Sequence, residues 1–183
     1  MPNSPAEVHE PGAVQPASGL RTLVAGVGNL FLGDDGFGAE VARVLQAHEL
    51  PAGVTVRDYG IRAMHLAYDL LDGWDRLILL DVLPARGRPG AVHIVRLDPD
   101  ENPSGTTSPA PTSVDPHGMV PHAVLAGVLS LGGRLPPAIL VGCEPADLSE
   151  SIGLSAPVAA AVQPAADAVL ALLSEVPATE GRH

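Results

Sequence analysis

Residues 26–38 read GVGNLFLGDDGFG and follow directly on the apolar run Leu23-Val24-Ala25. An apolar run, a glycine-rich turn and then a helical repeat form the opening of a βα unit. The repeat runs from Gly38 to Ala47, with Val41, Val44 and Leu45 at helical spacing on one face. A turn of this kind ordinarily cradles a phosphate, yet this one carries two aspartates, Asp34 and Asp35. The dinucleotide fingerprint G-x-G-x-x-G is also incomplete, because Gly26 and Gly28 supply the first pair but Phe31 stands third. Asp58, at the end of the next strand, does stand where a ribose-binding acid would. At an effective dielectric of ~20, each carboxylate ~4 Å from a pyrophosphate would be repelled by on the order of 4 kcal/mol before screening. The helix N-terminus instead stabilises a carboxylate by roughly 0.3–1 kcal/mol. The turn suits acids, not phosphates.

The same alternation continues along the chain. Val54–Asp58 reads as a second strand and Met64–Leu71 as a short helix. Arg76–Asp81 is apolar on both faces, hence a central strand. Ala91–Val95 is a fourth strand, and the link before it is too short for a parallel crossover, so strands three and four are expected to form an antiparallel hairpin. A helix is expected from about Val120 to Leu131, closed by Gly132-Gly133. Ile139–Gly142 is a fifth strand, and Ser155-Ala156-Pro157 opens a long helix, with a kink expected at Pro164, that ends near Ser174. The expectation is a three-layer α/β sandwich: a mostly parallel five-stranded twisted sheet with one antiparallel edge hairpin and helices on both faces. One domain, residues 21–175, is expected between disordered tails at 1–20 and 176–183. The stretch Asp98–Pro116, nineteen residues without periodicity, is a functional or disordered loop.

Composition narrows the chemistry. The net charge of −11 argues against a nucleic-acid partner. All ten basic residues are arginines, which excludes a Schiff-base or P-loop lysine. Cys143 is the only cysteine, so neither an intramolecular disulfide nor a thiolate cage can form. No signal-peptide pattern is evident, and the apolar runs are broken by Gly or Pro short of membrane-spanning length. A soluble, cytoplasmic protein without a membrane partner is expected.

In such a sheet, function gathers beyond the carboxyl ends of the strands. Four segments converge there: Asp34 and Asp35 after the first strand, Asp81 ending the third, His117 in Asp115-Pro116-His117-Gly118, and Glu144 ending the fifth. Each has a plain alternative. Asp34 can be a helix cap, Asp81 can end its strand at a turn, His117 can be solvated, and Glu144 can pair with an arginine or cap a loop. Their convergence favours an open oxygen- and nitrogen-rich site for a divalent ion such as zinc, nickel or manganese. There is no G-x-S-x-G elbow and no H-E-x-x-H helix, and Cys143 reads as a buried strand cysteine rather than a nucleophile.

These motifs, in this order, resemble the hydrogenase maturation proteases over essentially Thr22–Leu173. The resemblance rests on G-x-G-N-x-x-x-x-D-D/E-x-x-G at Gly26, Gly28, Asn29, Asp34, Asp35 and Gly38, on Leu77–Asp81, and on Pro116-His117. It also rests on Gly142-Cys143-Glu144-Pro145 and on Ile152–Pro157. It implies an endopeptidase that removes the C-terminal extension of the nickel–iron hydrogenase large-subunit precursor after nickel insertion. The family's metal-binding acids and histidine carry over onto Asp35, Asp81 and His117, with Gly26, Gly28, Asn29, Asp34 and Glu144 in support. Some members have glutamate where Asp35 stands, and Asp34 is its neighbouring candidate. The resemblance further implies a nickel supplied by the substrate, with zinc, cadmium or manganese able to occupy the site in vitro. The competing readings are a non-catalytic nickel-binding chaperone or sensor and, more distantly, a nucleotide-dependent oxidoreductase.

Overall fold

The computed structural model describes residues 20–97, 124 and 127–175. Five strands form one sheet: β1 (Thr22–Val27), β2 (Val54–Gly60), β3 (Arg76–Val82), β4 (Val92–Leu97) and β5 (Ala138–Cys143), in the order β2-β1-β3-β5-β4. All neighbours are parallel except β4 and β5. Helix α1 (Phe37–Gln46) follows β1, α2 (Ala63–Leu70) follows β2, and α3 (Ala156–Ser174) closes the described chain.

Alternation along the strands sorts the core into two halves. Val24, Ile78, Leu80 and Val141 face α1 and α3, meeting Phe37, Val41, Leu45, Val158, Ala165 and Val169. Leu23, Ala25, Leu77, Leu79 and Leu140 face the other way, onto Leu66 and Leu70 of α2 and onto Val124 and Val128. The strands β1 and β5 are buried throughout and β3 from Leu77 onward, as a sheet covered on both faces requires. The expected three-layer arrangement is present.

One expectation is corrected. β4 does not pair with β3; it lies antiparallel to β5 at the far edge, Val92 opposite Cys143 and Leu97 opposite Ala138. Burial explains the choice. β5 is apolar on both faces and takes the interior place, whereas β4 exposes Ile94 and Val95 and tolerates an edge. The link between β3 and β4 can span one strand spacing of ~4.8 Å or two, so its length does not decide the partner.

The expected helix at 120–131 lies partly outside the described residues; Val124 and 127–130 are helical, and the segment ends on Gly132 (φ +75°), with Gly133 N donating to Val128 O. α3 runs through Pro164. By length and composition alone it could cross a membrane, at 19 residues and mean hydropathy 1.6. Its face of Val158, Ala161, Ala165, Ala166 and Val169 is instead buried against the sheet and α1. The tails, apart from Leu20, and the 98–116 loop lie outside the described residues.

Candidate metal-recognition site

The strand order reverses between β1 and β3, since β2 lies on one side of β1 and the rest of the sheet on the other. A cleft at the carboxyl ends of such strands is the usual binding place in this architecture. Asp35 follows β1, and Asp81 is the penultimate residue of β3. Gly26 and Leu80 are direct partners, which brings the two acid-bearing segments side by side.

The glycines of the turn make close approach of backbones possible. An added Cβ on Gly26 would lie 2.5 Å from Gly38 O, and one on Gly38 would lie 2.3 Å from both Leu80 O and Val27 O. Gly28 has φ +128°, and its Cβ would meet Asp35 O at 1.9 Å. The α1 N-terminus thus sits directly on β1 and β3, and Asp35 sits directly on Gly28. Asn29 completes the turn: its N–H donates to Asp35 Oδ2 at 2.7 Å, and its Oδ1 accepts from Phe31 N.

The acids at this edge have different environments. Asp81 is 1% exposed. Its Oδ1 accepts from Val82 N at 2.8 Å, and its buried Oδ2 has no hydrogen-bond partner among the described residues. Burial pushes its carboxyl well above the usual range, with a further upward contribution from the charge of Asp35. An orphaned buried oxygen is a rare and costly feature, of the kind a bound ligand completes.

Asp34 is saturated. Oδ2 accepts from Ala146 N, Asp147 N and Ser155 Oγ, and Oδ1 from Ser155 N, all between 2.7 and 2.9 Å. Burial would raise its pKa, but these bonds outweigh it and hold it below the ordinary carboxylate value. It does not cap α1. Its partners include the start of α3, where Ser155, a natural N-cap residue, makes no side-chain cap bond and donates to Asp34 instead. Nothing local in the sequence signals that pairing.

Glu144 is a clasp of another loop. It is buried, accepts from Arg86 N and Arg88 N through Oε2, and meets His93 Nε2 at 2.8 Å through Oε1. Burial works against its charge, yet the bonds from Arg88, His93 and Arg86 keep its pKa lowered. Cys143 is fully buried, its thiol pushed up to about 11 by burial and by the charges of Asp34 and Glu144, so it is an inert strand residue. Asp58 accepts from Gly60 N, two residues on, and so shapes the end of β2.

His117 lies outside the described residues, and among those described no three His, Cys, Asp or Glu side chains gather closely enough to hold a metal. A cavity of about 510 Å³ opens on the other side of the turn, lined by Leu30, Gly33, Gly36, Ile152, Leu154 and Val162 among others. Neither Asp35 nor Asp81 lines it, so it is separate from the acid pair.

Comparison with known proteins places this architecture. A sequence profile described as hydrogenase maturation protease matches residues 39–172, more than half of the chain. The hydrogenase 2 maturation protease of Escherichia coli K12 is 35% identical over 159 residues, covering 85% of this chain and 92% of that protein. The hydrogenase expression/formation protein HupD of Bradyrhizobium diazoefficiens is 32% identical over 166 residues, 89% and 83% of the two chains. Among solved structures, the hydrogenase maturating endopeptidase HybD from E. coli superposes with TM-score 0.69 at 33% identity, over 84% of this chain and 92% of that one. A hydrogenase 2 maturation peptidase from Thaumarchaeota archaeon SCGC_AB-539-E09 gives TM-score 0.64 at 35% identity, over 84% and 98%. With the profile, the relatives and the fold in agreement, this chain belongs to the hydrogenase maturation proteases, a family of endopeptidases.

Proposed function

We propose that the protein removes the C-terminal extension of a nickel–iron hydrogenase large-subunit precursor, and that it recognises nickel already seated in that substrate through Asp35, Asp81 and His117. The observation that carries the reading is the buried Asp81 Oδ2, which has no hydrogen-bond partner among the described residues and lies within the electrostatic influence of Asp35 at the sheet's switch point. An incoming cation would supply the missing interaction and remove the repulsion between the two acids. The saturation of Asp34 favours Asp35 as the acid offered from the turn.

The donor set fits a metal that arrives with its substrate. Two carboxylates and one imidazole, without sulfur, make an incomplete shell for a borderline ion, and thiolates on the substrate side would complete it. Nickel bound in the precursor then acts as the recognition element, and Asp35 and Asp81 orient the tail against the enzyme. Asp81 must be ionised to bind it, which ties recognition to pH.

The test is incubation of purified protein with nickel-loaded and nickel-free large-subunit precursor, read by mass spectrometry. Loss of a C-terminal fragment from the nickel-loaded form alone is expected. Equal cleavage of both forms would overturn nickel recognition, and no mass change in either would leave a nickel-binding chaperone instead. Asp35→Asn and His117→Ala are expected to abolish processing in folded protein; full activity in either variant removes that residue from the site.

A further inference from the structure

We infer that Asp34 is a positioning residue, which fixes the direction of the Asp35 carboxylate by locking the Gly33–Gly36 turn onto the 146–155 loop. The inference rests on Asp35 being a ligand as proposed above, and it goes beyond that reading by assigning the second acid a distinct task.

The two aspartates are adjacent in a 3₁₀ turn, Gly33–Gly36. With three residues per turn, consecutive side chains leave the axis roughly 120° apart. One carboxylate can therefore be sunk into a neighbouring loop while the next faces the strand ends. On the inner side, Asp35 is held by Asn29 N on Oδ2, by its own N–H on Leu32 O at 3.1 Å, and by Gly28, which leaves no space behind it. That leaves the outer side, and there Asp34 is fully buried and accepts four hydrogen bonds on its two oxygens.

The clasp is reciprocal. Gly33 N donates to Ser151 O, Asp34 N to Asp147 O, and Ser151 N to Phe31 O, while Leu32 and Ser151 form a parallel bridge. Backbone and side chain of the same residue thus grip one loop from both directions. Charge-assisted bonds of this kind are stronger and more directional than neutral ones. An amide in place of the Asp34 carboxylate keeps one acceptor oxygen and turns an N–H₂ toward donors that already point inward. The turn would tilt, and Asp35 would tilt with it.

The experiment measures three quantities on full-length protein. They are Ni²⁺ affinity of the protein alone by titration calorimetry, kcat/KM on nickel-loaded precursor, and the thermal transition. Asp34→Asn is expected to weaken Ni²⁺ binding and kcat/KM each by at least tenfold while still melting cooperatively. Ser155→Ala removes one donor of the four and is expected to lose two- to fivefold in both. Asp69→Asn, whose carboxylate bonds Tyr59 and Arg57 on another element, is expected to stay within twofold of wild type. If Asp34→Asn melts lower but binds Ni²⁺ and cleaves like wild type, Asp34 only holds the fold and the inference is overturned. Should Asp34→Asn fail to fold, Ser155→Ala decides, and unchanged affinity there overturns it too. Wild-type protein that neither binds Ni²⁺ nor cleaves would overturn the functional reading and this inference with it; failure confined to the variants' expected losses overturns the inference alone.

Discussion

Asp81 and Asp34 are both buried acids near one strand edge, and pH acts on them in opposite directions. Asp81 has a raised pKa, from burial first and from Asp35 second. In the metal-free protein the folded state therefore binds its proton more tightly than the unfolded chain does. Its contribution to stability is largest below the ordinary value of 3.8 and falls as pH rises through the raised folded value. Asp34 has a lowered pKa, so its contribution is present above 3.8 and is lost as pH falls through the folded value. Asp81→Asn should consequently stabilise the metal-free protein at neutral pH while abolishing processing. Thermal melts with a chelator between pH 4 and 8 check this: the advantage of Asp81→Asn should grow with pH, and a variant less stable than wild type at pH 7 would refute it. The sequence places Asp34 and Asp35 side by side at the right edge but does not divide their tasks. The donors that occupy Asp34 come from Ala146, Asp147 and Ser155, more than a hundred residues on, and only the folded chain brings them there.

The junction of β1, α1 and β3 shows why the glycines matter more than the helix they interrupt. Ala in place of Gly38 would gain ~1 kcal/mol in helix propensity. Its Cβ, however, would lie 2.3 Å from two backbone carbonyl oxygens, Leu80 O and Val27 O, which belong to the central strands and cannot rotate away. Overpacking of this kind typically costs 1–3 kcal/mol and more where backbone must shift, so the clash wins. Gly38→Ala is expected to destabilise by about 2 kcal/mol net and to lower processing, because the shift opens the junction that sets Asp35 beside Asp81. Urea unfolding checks the first part; a variant as stable as wild type would show that α1 can slide freely on the sheet. The elements themselves were legible from the chain, since β1, β3 and β5 are each built on a continuous apolar run and α1 carries a clean apolar face. The partner of β4 was not. A short link specifies antiparallel direction but not neighbour, and the choice of β5 over β3 depends on which strand needs burial on both faces.

Taken together, the fold buries Asp81 within the electrostatic influence of Asp35, in a chain already carrying a net charge of −11. Two layers of aliphatic core supply the stability that lets Asp81 stay buried with an oxygen unpaired among the described residues. A ligand that binds the folded state alone returns that cost by mass action, through RT ln(1 + [L]/Kd), which amounts to about 2.7 kcal/mol at a hundredfold excess over Kd. For a domain of this length one kcal/mol moves the melting temperature by roughly 2–4 °C. Saturating Ni²⁺ should therefore raise the transition of wild-type protein by roughly 5–11 °C, and a chelator should reverse the shift. Asp35→Asn and Asp81→Asn should each abolish most of it, whereas Asp69→Asn, on α2, should keep it in full. An equal shift in Asp81→Asn would mean that the ion binds elsewhere on an acidic surface, and the acid pair would then be a feature of the fold rather than the seat of recognition.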